Sequence, residues 1–303
     1  MNEDYTGPLE PFEFSINDKA QSDYLEALED YHLRYVLSHD GIQPIVHPGV
    51  LLNQSNATRS PSFDGPNTRW IHVREQTQFV TPARVDDQLI ARWQVEEHEP
   101  WFGRALIRVS CVLSRRDGKV ILRRLFWGFH TSAQQPIPAD GRRPISPNGA
   151  SIHSGGLDSE DWDIPGKRKN ATSTRIKLFS GRTANNLHTD EQIARNAGLP
   201  APVASATQGM GYLCEFMIDN FGEQWLAGGS WELTFRKPVF PGDEVSASGR
   251  FARLSGNAPM FTIGLRLVNQ RGTLVTQGTA TGQAGSICVS PRGRSGYLSS
   301  SAW

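Results

Sequence analysis

Four residue types able to handle a proton or a water crowd into one short stretch, FSGRTANNLHTD, Phe179 to Asp190. They are the hydroxyl of Thr183, the amide of Asn185, the imidazole of His188 and the carboxylate of Asp190. Histidine is the side chain whose ordinary pKa lies near neutrality, so His188 suits general acid–base work. Asn185, three residues earlier, would orient a water or hold the ring. Thr183 would add a hydroxyl and Asp190 a carboxylate. A plainer role fits the same spacing: a helix begins at Thr189 or Asp190 with Thr189 as its N-cap, and His188 is a capping or packing residue beside it.

Downstream, AGLPAPVASATQGMGYL is a proline-bounded turn feeding a helix built from small residues, among them Ser205, Ala206 and Gly209. Free N–H groups at a helix N-terminus can hold a developing oxyanion, and small side chains let a carbonyl approach them. Equally, small residues permit close packing of a helix on a sheet. Ser205, Ala206, Gly209 and Asp190 are therefore the candidate substrate contacts, with His188, Asn185 and Thr183 as the candidate catalytic group.

Other candidates are weaker. His47, in HPGV, is an outside candidate for a second pocket residue, while His72, His98 and His130 fall in strand-like runs and read as structural. Most tryptophans, including Trp70, Trp93, Trp127 and Trp231, also sit in such runs and suit a core or tunnel lining. Cys111, Cys214 and Cys288 show no CxxC spacing, which points to buried thiols rather than a disulfide framework or a zinc site. There is no glycine-rich phosphate loop, no GxSxG elbow and no metal-ligand cluster in the sequence pattern.

These residues need elements to position them. SINDKAQSDYLEALEDYHLRYVLSHDG reads as one helix, with Tyr24, Leu25, Leu28, Tyr31, Leu33, Tyr35 and Val36 as its apolar stripe and Gly41 as its stop. A turn-rich piece, 47–69, follows it. Strand-like runs then begin at Trp70, Gln88, Arg104 and Lys119, and Arg116-Asp117-Gly118 marks a hairpin. From Thr131 to about Ser173 proline, glycine, serine and charge dominate, as in a linker, and GKRKN at 166–170 reads as a solvated loop. Beyond it RIKLF reads as a short strand, DEQIARNAG and SATQGMGYLCEFMIDNFG as helices, and four more strand-like runs end the pattern.

The pattern occurs twice. TQFVTPARVDDQL, 77–89, matches LTFRKPVFPGDEV, 233–245, and SRRDGKVI, 114–121, matches NQRGTLVT, 269–276. A duplicated unit of about 130 residues, each a helical part followed by antiparallel strands, predicts an α+β fold with a curved sheet wrapped on helices. Pairing the two units edge to edge would cover an open sheet edge.

Bulk properties narrow the function classes. Lys+Arg and Asp+Glu both total 31, so the chain has no net field to draw nucleic acid. No apolar run approaches the roughly 20 residues that span a bilayer. The opening MNEDYTGPLEPFEF lacks an h-region and SSSAW is not a peroxisomal address, so the expected compartment is the cytoplasm.

With these residues in place, the chain resembles the MaoC-like hydratases and dehydratases of the hotdog superfamily, in a tandem double-hotdog arrangement. The hallmark of that family is roughly Ser-Gly-Asp-x-Asn-Pro-x-His, an acidic residue and a helix, then Gly-Leu-Pro and a His-Gly segment. Here Ser180-Gly181, Asn185 and His188 match, followed by Asp190 and Gly198-Leu199-Pro200. PARVDD and KPVFPGD resemble the family's Pro-x-x-x-Gly-Asp turn, with Asp86 replacing glycine in the first. Three positions depart: Thr183 stands where the family has its catalytic Asp, Asn186 where it has Pro, and Ser205-Ala206 where it has His-Gly.

The resemblance implies residues 1–132 as a first hotdog unit, non-catalytic and accommodating substrate. It leaves 133–173 as linker and 174–303 as the unit carrying the site. It implies a hydro-lyase acting on an enoyl or 3-hydroxyacyl thioester, with a bulky acyl group. His188 would serve as acid and base, and amides near Ser205 and Ala206 would hold the enolate. Two alternatives stand beside it: a tailoring enzyme of polyketide-type biosynthesis that dehydrates, isomerises or cyclises a carrier-free product, and a non-catalytic acyl-binding relative. No metal or redox cofactor is implied. The expected partner is a small molecule or acyl thioester, not nucleic acid or membrane, with a homodimer left open.

Overall fold

The computed structural model describes residues 5–56, 68–101, 104–132, 164–181, 186–254 and 260–283. Strands β1 (Gly7–Pro8), β2 (Phe12–Ser15), β3 (Thr68–Phe79), β4 (Gln88–Trp101), β5 (Arg104–Arg115) and β6 (Val120–Ser132) belong to the first half. Strands β7 (Ile164–Ala171), β8 (Ser230–Phe235), β9 (Asp243–Leu254), β10 (Met260–Asn269) and β11 (Leu274–Gln283) belong to the second. All pair antiparallel in one sheet of order β1-β4-β5-β6-β3-β8-β11-β10-β9-β7, with β2 also on β4. The halves meet at β3 and β8, where Gln76 faces Glu232 at the centre of the register. Each half thereby covers the other's open edge.

The helices are α1 (Asp18–Leu28), α2 (Pro48–Gln54), α3 (Ser173–Ser180), α4 (Glu191–Asn196) and α5 (Ala206–Phe221). Helix α5 is the central one, and nearly every side from Thr207 to Ile218 is buried, the polar Gln208 and the Lys169-paired Glu215 included. It crosses α2 so closely that a Cβ on Gly49 would stand 2.9 Å from Gly211 Cα. Tyr24 of α1 and Phe179 of α3 meet edge to face, their centroids 4.9 Å apart. These contacts join the two halves into one apolar core.

Backbone hydrogen bonds repeat between the halves. Val46 N–H donates to Ala83 O at 2.8 Å as Ala204 N–H donates to Val239 O at 2.9 Å. Ile45 N–H donates to Arg34 O at 3.1 Å as Val203 N–H donates to Leu187 O at 3.2 Å. In the matched turns Asp86 has φ 68° where Gly242 has φ 90°. The next residue caps each turn, Asp87 accepting from Arg84 N–H and Asp243 from Phe240 N–H. The duplication read in the sequence is thus present bond for bond, with Asp86 holding a left-handed conformation usually left to glycine.

Four local expectations are corrected. The first helix stops at Leu28, because Glu29 turns left-handed at φ 53°. There Glu29 accepts from Asn170 N–H at 2.8 Å and pairs with Arg175 at 3.1 Å, so ties to the second half override helix propensity. Tyr24, Leu25, Leu28 and Tyr35 are buried, but Tyr31, Leu33 and Val36 are exposed. The turn-rich piece contains α2, started by Pro48 and by His47, whose Nδ1 accepts from Gly49 N–H at 3.0 Å. Residues 166–170 form edge strand β7 on β9, and RIKLF lies in α3, capped by Thr172. Ile176 and Phe179, three apart, are its buried face, a helical spacing that five residues alone do not disclose.

Candidate active site

Asn186 builds the loop that presents the histidine. Its side-chain oxygen accepts His188 N–H at 2.8 Å, and its amide nitrogen donates to Ser180 O at 3.1 Å, at the end of α3. Asp190, not Thr189, then caps α4, accepting from Ile193 N–H at 2.9 Å, because the Thr189 hydroxyl is turned back to Asn186. His188 lies between these anchors, partly buried, with Nδ1 2.7 Å from Val203 O. A carbonyl can only accept, so Nδ1 carries the proton and Nε2 of the neutral ring presents a lone pair. No hydrogen-bond partner of Nε2 is found among the described residues. Burial lowers the His188 pKa below the ordinary 6.5, with the Val203 bond opposing, so the ring is a neutral base at pH 7.

The tether to Val203 sets the ring beside the start of α5, since Ser205 is its N-cap. Ser205 Oγ accepts from Gln208 N–H at 3.2 Å. The amides of Ala206 and Thr207, in the first turn, have no acceptor within the helix. The backbone of this turn points partial positive charge toward whatever lies past its end. Gly209 is buried against β10, where a Cβ would stand 3.3 Å from Leu267 Cδ2, so it serves helix-on-sheet packing. Asp190 is likewise occupied as a cap. Thr183 and Asn185 lie outside the described residues.

Sequence reasoning did not single out Asn53, which the first half sends into this region. Its Nδ2 donates to Phe179 O at 3.0 Å and to Tyr24 Oη at 2.6 Å, and its Oδ1 accepts from Thr207 Oγ1 at 3.1 Å. Thr207 Oγ1 in turn lies 3.0 Å from Ser205 Oγ. One buried amide thus ties the last turn of α3 to the first turn of α5. Asn53 follows LeuLeu in a stretch read as turn, and only the unexpected α2 gives it a direction.

Asn53 is itself held. Arg124 donates to Leu52 O at 2.9 Å and Ser55 Oγ at 3.1 Å, fixing the end of α2. Its other nitrogens form a bidentate pair with Glu75 at 2.7 and 2.8 Å, fully buried. Thr77 Oγ1 donates to the same carboxylate, and His72 Nε2 lies 3.0 Å from it. Burial pushes the Glu75 carboxyl up, but Arg124 and His72 outweigh it and hold the group at about 2.

The remaining candidates take structural places. His47 is fully buried, its Nδ1 engaged by Gly49 and its Nε2 3.1 Å from Asp30. Burial pushes Cys111 up to about 12 and Cys214 well above its usual value, so neither thiol is a nucleophile. Across the β3–β8 seam, a groove of about 650 Å³ is lined by residues such as Gln76, Gln78, Arg123, Glu232, Thr279 and Thr281. None of its described lining belongs to the His188 loop or to α5. No described helix is long and apolar enough to cross a membrane.

A family model described as "MaoC like domain" matches residues 166–257, the span from β7 through α5 to β9 that contains His188. This chain carries a MaoC-like domain. Among solved structures, a MaoC-like dehydratase from Phytophthora capsici is 14% identical, with TM-score 0.65 over 91% of this chain and 96% of that one. Full-length peroxisomal multifunctional enzyme type 2 from Drosophila melanogaster is 17% identical, with TM-score 0.64 over 91% of this chain and 48% of the other. A conserved Mycobacterium tuberculosis protein described as a double hotdog is 13% identical, with TM-score 0.60 over 91% and 96%. At such identities the likeness is one of fold, and the fold is the double hotdog. No curated protein sequence matches the chain. The MaoC-like domain occupies the second half, and the first half repeats its architecture without repeating His188: the matched backbone bonds put Tyr35 in that place.

Proposed function

We propose that the protein is a hydro-lyase that adds water to, or removes it from, an enoyl or 3-hydroxyacyl thioester. The observation that supports this best is the His188 tether. With Nδ1–H given to Val203 O, Nε2 is a base of lowered pKa near first-turn amides that have no acceptor within their buried helix, inside a MaoC-like domain. In hydration, a water oxygen bonds to Cβ while its proton passes to His188 Nε2. The alkene pair moves to the thioester carbonyl, whose oxygen is held by the amides near Ser205 and Ala206. The imidazolium then returns the proton to Cα, so the sum is one water added. Thr183 and Asn185 position the water in this reading. The first half has Tyr35 where a second histidine would stand, so in this reading it supplies no second base, and its role is to accommodate the acyl group.

Thr183 in the family's Asp position favours a second reading, a tailoring enzyme of polyketide-type biosynthesis working on a carrier-free product with His188 as sole base. A turnover assay separates the two. Wild type and His188→Ala are offered enoyl- and 3-hydroxyacyl-CoAs of short to long chain, and hydration is followed by absorbance and mass. The expected result is wild-type turnover reduced at least about 100-fold in the variant. Wild-type silence across the panel rejects the thioester reading, and undiminished turnover in the variant rejects His188.

A further inference from the structure

Asn53 is buried and comes from the half without a counterpart of His188, yet its side chain bonds Phe179 and Thr207 of the second half. The bonds around it fix the protons of the chain that follows. A carbonyl oxygen can only accept, so the atom 3.0 Å from Phe179 O is the amide nitrogen of Asn53, and the amide oxygen faces Thr207. That oxygen can only accept in turn, so Thr207 Oγ1 gives it its proton at 3.1 Å. With this proton spent, the 3.0 Å bond between the two hydroxyls has Ser205 as donor, while Ser205 Oγ also accepts Gln208 N–H. Neither hydroxyl keeps a proton for a ligand. The donors left in the first turn of α5 are the backbone N–H groups of Ala206 and Thr207. A second arm runs to the histidine. Phe179 ends α3 beside Ser180, whose carbonyl accepts from Asn186 Nδ2 at 3.1 Å, and Asn186 Oδ1 accepts His188 N–H at 2.8 Å.

We propose that Asn53 is a positioning residue for the site. It sets the spacing between the His188 loop and the first turn of α5, and through Thr207 it commits the Ser205 proton, so that a carbonyl oxygen meets backbone N–H groups alone. This role rests on the proposed hydro-lyase reading and gives the half without a histidine a part in the chemistry. Donors stabilise a developing enolate best when they are already in place and need not reorganise, and a hydroxyl free to rotate would have to. An amide suits the task because one planar group donates to a carbonyl on one side and accepts from a hydroxyl on the other. Its plane is fixed as well: the second Nδ2 proton goes to Tyr24 Oη at 2.6 Å, a hydroxyl that also accepts from Gln54 Nε2. All three hydrogen-bonding directions of Asn53 are thus used inside the core, where such a network holds one arrangement.

The test compares kcat and KM of the full chain for wild type, Asn53→Ala, Thr207→Val and Thr207→Ser, on an enoyl-CoA that wild type hydrates, at a temperature where melting shows each variant folded. Loss of an interaction made as the enolate forms lowers kcat and leaves KM nearly unchanged. The expected result is a fall in kcat of about 10- to 100-fold in Asn53→Ala and in Thr207→Val, most of it recovered in Thr207→Ser, which keeps the hydroxyl. Asn53→Ala/Thr207→Val should be little worse than the poorer single variant, because both substitutions break one chain of bonds. Unchanged kcat in folded variants overturns the proposal, as does a loss that Thr207→Ser fails to recover or one confined to KM. If Asn53→Ala does not fold, the two Thr207 variants decide by the same criteria. A second readout needs no substrate. In heteronuclear NMR of the full chain, Asn53→Ala is expected to shift the amide signals of His188 and Ala206, neither of them bonded to Asn53, and unmoved signals overturn the positioning. Wild-type silence on every thioester defeats the hydro-lyase reading instead, and the NMR result then decides Asn53 by itself.

Discussion

Replacing Arg124 by methionine would strand the Glu75 carboxylate inside the first half and release the end of α2. In the native protein Glu75 is held at about 2, against an ordinary 4.5. A shift of that size corresponds to roughly 3 kcal/mol in favour of the ionised, paired form. The sign follows from the lowered pKa. The contribution is fully present above about pH 4.5 and is lost as pH falls from there towards 2. Without Arg124 the same buried carboxyl has a pKa above its unfolded value, so the sign reverses: it destabilises at neutral pH, and acid relieves it as the group takes a proton.

Urea unfolding of wild type, Arg124→Met and Glu75→Leu/Arg124→Met between pH 8 and pH 4 tests both halves of that reasoning. Breaking a buried pair by removing one partner costs about 3–5 kcal/mol, which is the loss expected for the single variant at pH 7. Its stability relative to wild type should then recover as pH falls. The double variant leaves no stranded charge and should be about 2 kcal/mol more stable than the single one, with a flatter pH dependence. A single variant that loses under about 1 kcal/mol, or whose difference from wild type does not change with pH, refutes the account of Glu75 and Arg124 as a tightly coupled ion pair.

Asn53→Ala and Thr207→Val, measured singly and together by urea unfolding, should show a coupling of about 1 kcal/mol, because each loses the same 3.1 Å bond; strict additivity would mean that the bond carries nothing. If His188 is the base of the proposed reaction, kcat/KM should fall with acid on a limb whose midpoint lies below the ordinary imidazole value of 6.5, since burial disfavours the charged ring. A limb centred above 6.5 would assign the titration to another group.

Strands and the duplication were legible because they rest on local signals. Alternation such as that of β8, hairpin glycines such as Gly118 at φ 89°, and the repeated proline-and-acid turns each declare themselves within about ten residues. Helix α5 declared itself by length. What stayed hidden depends on partners far away in sequence. Helix α1 ends where Glu29 meets Asn170 and Arg175, and β7 is a strand because β9 needs a neighbour. In the site, His188 was conspicuous by residue type, and Ser205 and Asp190 by their place before helices. Asn186 was noticed only as a departure from a proline, though its side chain shapes the turn that carries His188. Asn53 had no local mark, because its partners lie 126 and 154 residues away.

The two halves diverge most where the fold needs them least alike. Ser205 and His47 both cap the helix that follows, but Ser205 leaves open amides beside a histidine, whereas His47 is closed in by Asp30 and by Tyr35, its ring 4.8 Å away. At the helix crossing, Gly49 approaches Gly211 in one place while Asn53 bonds Thr207 in the other. The close glycine contact brings α2 and α5 together, and the longer Asn–Thr bridge reaches from α2 to the first turn of α5, on the side where His188 stands. Such an arrangement uses one half as a rigid brace and keeps polar function in the other. The brace is itself anchored by a buried ion pair, Arg124 with Glu75, whose hydrogen bonds among the described residues stay within the first half. Stability and chemistry are therefore separable here: substitutions at Arg124 should be read first in unfolding, and substitutions at His188 first in turnover.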